Sequence, residues 1–213
     1  MGAQSAGAAK PDGSELEPAP TRPAEIRGIR LDGHFGRRSG RSTGLQVDAV
    51  ELPLDSAELD PELKAALHYW HSKRGDRPAP TRADIDPVDI APLLPRVMLV
   101  DVSTDPLDFR FRLAGTGIFK IHGAELTNKR ALDLEPQCYA ALTHRLYSEA
   151  VTRRAPLAYR LLIEVETRRS AYTRIILPLS DSGAEINRLM TVESYADCAQ
   201  DLRDCFEEAR LGR

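Results

Sequence analysis

FRFRLAGTGIFKIHGAELTNK, residues 109–129, holds the choice between two folds. Phe109, Phe111 and Leu113 alternate with Arg110 and Arg112, the period-two pattern of a strand with one covered face. The chain then meets Gly115 and Gly117. A dinucleotide fingerprint in a parallel sheet needs a third glycine where this chain carries Lys120, and Gly123 comes too late. A phosphate loop ending in GK[ST] is absent as well. The glycines therefore read as solutions to chain reversal: Gly115 and Gly117 are expected to supply positive φ as a strand turns into a short helix carrying Phe119 and Ile121, and Gly123 to end that helix.

The flanking segments support this reading. Upstream, RVMLVDV is an apolar run of strand length, and STDPLD joins it to DFRFRL as a hairpin turn. Downstream, ALDLEPQCYAALTHRLYSEAVTRRAP predicts a helix from about Pro136 with Tyr139, Leu142, Leu146 and Ala150 on one face. Three strand candidates follow, LAYRLLIEVE, SAYTRIILPL and INRLMTVESY, joined by lengths suited to hairpins. A last helix is predicted from Asp197 to about Arg210, with Cys198, Leu202, Cys205 and Ala209 together.

On the N-terminal side, DPELKAALHYWHSKRG carries Asp60 as a candidate N-cap, Pro61 at the first helical position, and Leu59, Leu63, Leu67 and Trp70 in a stripe. That stripe must pack on its own domain or on a second copy; Leu63, Leu67 and Trp70 are the candidates for a dimer contact. RPAPTRADIDPVDIAPLLP forbids a long helix and predicts short capped turns. Hairpin groups separated by helices give an α+β domain with an antiparallel sheet.

The chain has 213 residues, 42% hydrophobic and 29% charged, with a net charge of −3, as expected of a globular domain with an extension. That charge is too small to argue for nucleic acid or membrane as the partner of the whole chain. No apolar run approaches the ~20 residues of a membrane span, and the first thirty residues lack a signal-peptide centre, so a cytoplasmic location is expected. Residues 1–50 are rich in Gly, Ala, Pro, Ser and charge and read as a disordered arm. Within it, Arg27, Arg30, Arg37, Arg38 and Arg41 suggest a solvated linker more than an RNA-binding arm, because Phe35 is the only interleaved aromatic. Residues 51–96 read as an N-terminal helix and connector, 97–195 as the domain proper, and 196–213 as a terminal helix.

The order of these elements, with RLAGTGIFKIHGAELTNKRALDLEP at its centre, resembles the PAS domain. More narrowly, YWHSKRG, PTRADIDPVDIAPLLPRVMLVDV and FRFRLAGTGI are similar to a family of single-domain PAS-like proteins of alphaproteobacteria. The resemblance covers about Leu59 to Tyr195; Asn128 stands where the family often has glycine and tolerates the same left-handed backbone. It implies a five-stranded antiparallel sheet, with short helices and one longer helix on one face and helices flanking the domain at both ends. It also implies a cavity between sheet and helices, for which Phe111, Leu113, Phe119, His122 and Tyr139 are the candidate lining.

The chemistry legible in the sequence is sparse. His68 and His71 lie three apart on a helix with no third ligand nearby, so packing or surface roles outweigh zinc. His122 falls where such a cavity would open; the resemblance implies that a haem would instead use His144 on the longer helix, and a polar surface role is favoured for both over ligation. No cysteine stands in the flavin-photochemistry motif of related sensors, and Cys138 at a helix start has no acid or base partner in sequence. Asp84, Asp86 and Asp89 lack the glycine and terminal glutamate of a calcium loop and read as turn caps, with Arg82 as an ion-pair partner. No nucleophile elbow, metalloprotease, kinase or cyclase signature is present. The resemblance implies a non-catalytic sensory domain, expected to be homodimeric, that binds a small ligand or a protein partner and signals through the packing of its flanking helices. Haem and flavin remain unassigned as cofactors. The alternatives are a pure interaction or dimerisation module and a nucleic-acid-associated regulator using the arginine-rich arm.

Overall fold

The structure is a computed structural model, and it describes residues 28–34, 44–165, 168–195 and 198–211. The strands are β1 (Gly28–His34), β2 (Gly44–Leu52), β3 (Val97–Thr104), β4 (Leu107–Ala114), β5 (Leu157–Val165), β6 (Arg168–Leu179) and β7 (Arg188–Ser194). The helices are α1 (Pro61–Arg74), α2 (Thr116–His122), α3 (Gln137–Arg153) and α4 (Ala199–Leu211). All strands join one antiparallel sheet in the order β1-β2-β5-β6-β7-β3-β4.

The hairpins β3–β4, β5–β6 and β6–β7 follow the expected segments, and β7 closes against β3, which brings the two hairpin groups together. The sheet is larger than the five strands expected, because β1 and β2 add to the free edge of β5. This corrects the disordered arm within residues 28–34 and 44–50. In GLQVDAVEL, Val47 and Ala49 alternate with Gln46 and Asp48, and both apolar side chains are buried, paired with Ile163 and Leu161 of β5. A low overall hydrophobicity concealed a short period-two strand that packs near α3 and places Val47 and Ala49 in the core, with Leu52 buried at its end. Arg27, Arg37, Arg38 and Arg41 lie outside the described residues.

The sheet has a helix on each face. Phe109 and Phe111 of β4 meet Tyr147 of α3 edge-on, with ring centroids 5.4 and 6.4 Å apart, and Tyr139, Leu142, Leu146 and Ala150 of α3 are buried as their spacing predicts. The residues alternating with these strand positions, Val97, Leu99 and Met190 among them, face the other way, beneath the proline-rich connector. Helix α1 packs against β6 and β7, and the indole of Trp70 donates a 2.7 Å hydrogen bond to the main-chain oxygen of Pro178.

Leu59, Leu63 and Trp70 are therefore fully buried within this chain, while Leu67 is half-buried. The stripe proposed as a dimer contact is taken up by the domain's own sheet. Asp60 precedes α1, but its side chain makes no capping bond; its main-chain oxygen accepts from Lys64 instead.

The connector forms two 3-10 turns, Arg82–Asp84 and Ala91–Arg96. Thr81 and Asp84 cap the first one reciprocally. Asp84 pairs with Arg77 at 2.9 Å rather than with Arg82, and Asp89 pairs with Lys73 at 2.9 Å, which pins the connector to the end of α1.

The glycines of the opening stretch do a different job from the one expected. Gly115 has φ −64° and ψ 156°, an extended conformation open to any residue, and Gly117 is not among the positive-φ glycines. A Cβ on Gly115 would lie 2.2 Å from the main-chain oxygen of Leu94 and 2.4 Å from that of Pro95; on Gly117 it would lie 2.7 Å from the latter. The pair lets the start of α2 lie directly against the connector backbone. Gly123 does end α2 as expected, left-handed at φ 58° with its N–H donating to Phe119. Asn128 adopts φ 69°, the conformation for which asparagine substitutes for glycine.

Candidate functional site

The space between sheet and α3, where a ligand cavity was expected, contains a buried polar cluster. Arg174 of β6 and Glu193 of β7 are cross-strand partners, 1% and 0% exposed, and the guanidinium Nε donates to Glu193 at 2.8 Å. A second guanidinium nitrogen donates to the hydroxyl of Tyr172 at 3.0 Å and to that of Tyr139, and these two hydroxyls are 2.9 Å apart. Tyr195 donates to the other carboxylate oxygen of Glu193. Burial opposes the charge on Arg174, but Tyr139, Tyr172 and Glu193 around it hold its pKa above the usual value. Burial likewise pushes the hydroxyls of Tyr139, Tyr172 and Tyr195 upward, so all three remain protonated donors.

His122, the last residue of α2, borders this cluster. Its ring lies 5.5 Å from Tyr139 and 4.4 Å from Phe206 of α4. Burial pushes its pKa down to about 4, opposed by Glu193 and assisted by Arg174 and Arg210, so the ring is neutral at physiological pH. Sheet cluster, α2 and α4 are thus joined through one imidazole.

A cleft of about 480 Å³ opens on the opposite face, between the connector and the sheet. Ile85, Ile90 and Leu94 form one wall; Leu99, Leu113 and Met190 form the other. Gly115 and Thr116, where α2 begins, close one end, and Arg82 stands as its charged lining residue.

The sequence-stated cavity residues consequently divide. Phe111, His122 and Tyr139 are buried on the α3 side. Leu113 is 44% exposed at the cleft on the other face, and Phe119 is 50% exposed on α2, outside both. The reason for Leu113 is a bulge: the β3–β4 register shifts between Leu99 and Val100, so Leu113 pairs with Leu99 and leaves the face of Phe109 and Phe111. His144 is half-buried against Phe109, its ring 3.4 Å from the main-chain oxygen of Leu107, rather than aimed at the cluster. His68 and His71 are exposed, and no metal-ligating group of three or more side chains occurs among the described residues. Cys138 and Cys205 are buried, and burial pushes the Cys205 thiol up to about 11.

Arg174 and Glu193 were not singled out from sequence. Their signal was available: each interrupts an apolar run, in YTRIIL and MTVESY, at a position sharing a face with core residues. The cleft had no comparable signal, since its walls come from segments far apart in the chain.

No helix among the described residues is long and apolar enough to cross a membrane. A comparison with curated proteins found no match. Among solved structures, the chain is similar to one described as an RNA-binding Light-Oxygen-Voltage receptor, at 12% identity and a TM-score of 0.37, over 87% of this chain and 42% of that one. The PAS domain family matches residues 59–192, from the residue pair before α1 through most of β7. The antiparallel sheet β5-β6-β7-β3-β4, with α2 and α3 between its two hairpin groups, lies inside that match but for the last two residues of β7, and the chain belongs to the PAS domain family.

Proposed function

We propose that this protein is a non-catalytic sensory module in which a small ligand occupies the outer cleft and the response is a change in the packing of α4. The observation that carries this reading is the position of α2. Its first residues line the cleft, and its last residue, His122, contacts Phe206 of α4. A displacement at one end of so short a helix is transmitted to the other, because seven residues of α-helix move as a unit. The buried cluster of Arg174 and Glu193 serves as the fixed frame against which α2 and α4 shift, since a satisfied ionic network resists rearrangement.

The volume of the cleft falls within the ~300–1,000 Å³ of small-molecule sites, and its lining is predominantly apolar with few polar groups. The interior side supports ligand binding less well, because Arg174, Glu193 and the hydroxyls of Tyr139, Tyr172 and Tyr195 already partner one another at its centre. The test uses Leu113→Trp, which fills the cleft mouth from a partly exposed position. Native mass spectrometry of gently purified protein should show an added mass that the variant lacks, and hydrogen exchange should differ between the two proteins in α4 but not in β5 and β6. Identical masses together with identical α4 exchange would overturn the reading.

A further inference from the structure

We infer that the ligand of the outer cleft is an amphiphilic monocarboxylate: an apolar body with one carboxylate at its end. The inference rests on the sensory reading above and adds the chemical class. Two features of the cleft carry it. The walls are aliphatic, with Ile85, Ile90, Leu94, Leu99, Leu113 and Met190 offering no charged or strongly polar atom to a ligand's body. Arg82 is the charged residue of the lining, and no carboxylate among the described residues forms an ion pair with its guanidinium.

That guanidinium is nonetheless fixed. One terminal nitrogen donates to the main-chain oxygen of Ile85 at 2.9 Å, and the main-chain N–H of Arg82 donates to Asp181 at 3.1 Å. Asp181 itself is engaged by the side chains of Asn187 at 2.9 Å and Arg188 at 2.7 Å, and Asn187, the Arg82 N–H and Arg188 hold its carboxyl below the usual range. The nearby acid thus anchors the backbone of Arg82 and is neutralised elsewhere. The remaining guanidinium N–H groups are left to receive a planar anion, for which their fork geometry suits a carboxylate. A half-buried cation at the edge of an aliphatic cleft selects a ligand that is charged at one end only.

The full chain is titrated by calorimetry with octanoate, decanoate and dodecanoate below their micellar concentrations, and with the matching 1-alcohols. Affinity should rise about fourfold per added methylene in both series. Each carboxylate should bind about tenfold or more tightly than its alcohol, the effect of a charge-assisted hydrogen bond. Arg82→Gln should abolish that preference by weakening the carboxylates tenfold or more and the alcohols far less, Arg82→Lys should restore part of it, and Leu113→Trp should block both series. Thermal unfolding of each variant checks that the fold persists, and the alcohol series reports an intact cleft even where the charge is gone. Equal binding of acids and alcohols, or a preference that survives Arg82→Gln, would overturn the carboxylate while leaving a cleft sensor standing. Binding unaffected by Leu113→Trp, or no binding by any member of either series, would overturn the assignment altogether, with the native mass measurement then deciding the sensory reading by itself.

Discussion

Gly115→Ala tests the central packing argument most directly, because two physical accounts of that glycine predict opposite signs. At φ −64° and ψ 156° the backbone suits alanine, and on conformational entropy alone the substitution would stabilise the protein by about 0.4–1 kcal/mol. The close approach predicts the reverse. The new methyl would sit 2.2 Å from the oxygen of Leu94, 2.4 Å from that of Pro95 and 2.5 Å from the Pro95 carbonyl carbon, all backbone atoms that no rotamer change can move aside. Connector and helix must separate by about 1 Å to reach van der Waals distance. Overpacking of this kind costs about 1–3 kcal/mol, and the separation strains the 2.9 Å bond from the Gly115 N–H to Val97, worth about 1 kcal/mol. The net expectation is a loss of about 2–3 kcal/mol, or roughly 5–10 °C in Tm for a domain of this size.

The assay is urea unfolding followed by the fluorescence of Trp70, the one tryptophan, which is buried and hydrogen-bonded in the native state. Gly75 supplies the control: its φ is 55° and nothing lies within 4 Å of an added Cβ. At φ 55° and ψ −129°, a conformation open almost only to glycine, Gly75→Ala should cost about 1–3 kcal/mol from backbone strain alone, and the larger side chain of Gly75→Asn should cost no more. Gly115→Asn should instead be worse than Gly115→Ala. A Gly115→Ala protein as stable as the parent, or more so, would refute the close-packing account and return the glycine to a merely permissive role.

Other outcomes follow from the buried cluster. Arg174→Met should cost about 3–5 kcal/mol by stranding Glu193, whereas Arg174→Met combined with Glu193→Leu should cost far less than the sum, measured by a double-mutant unfolding cycle. His122, with its pKa at about 4 when folded and about 6.5 when unfolded, takes up a proton on unfolding throughout that interval; stability should therefore fall as pH drops from 6.5 towards 4, by about 3 kcal/mol from this residue, and His122→Phe should flatten that slope in pH-dependent urea titrations. Trp70→Phe should cost about 1–3 kcal/mol by leaving the Pro178 oxygen without its donor, read by the shift in the urea midpoint under far-ultraviolet circular dichroism. Cys205, buried with its thiol pushed up to about 11, should resist an aromatic disulfide reagent in the native state at pH 8 and react promptly in denaturant.

The elements made of local pattern were legible in the sequence. Alternation located β4, an apolar run of strand length located β3, hairpin-length spacers set off β5 to β7, the 3.6-residue stripe located α1 and α3, and Gly123 and Asn128 took the left-handed conformations assigned to them. Three things were hidden for physical reasons. Strand β2 carries its period-two signal in Val47 and Ala49 inside a segment whose composition is otherwise that of a tail, and period is a weaker indicator over two residues than over five. The bulge at Leu99 and Val100 turns Leu113 to the other face, and nothing in FRFRL announces a bulge that depends on the neighbouring strand. Whether Leu63 and Trp70 meet their own sheet or a second copy is a question of tertiary placement that an amphipathic stripe leaves open.

These hidden features together moved the candidate site from one face of the sheet to the other. The pattern FRFRL places two aromatics inward, and Arg174 and Glu193 then complete that face with charges that are already matched. A ligand entering there would have to displace an ion pair whose separation leaves an uncompensated buried charge, a cost of several kcal/mol before any contact is gained. The outer face imposes no such cost, since its lining is aliphatic and its cation has no carboxylate partner among the described residues. The two glycines bring the start of α2 against the connector that walls the outer cleft, and in the proposed sensor the length of α2 would carry a displacement there to His122 and Phe206. A sheet whose interior is filled by its own ionic cluster can still respond to a ligand, provided the element joining its two faces is short, rigid and anchored at both ends.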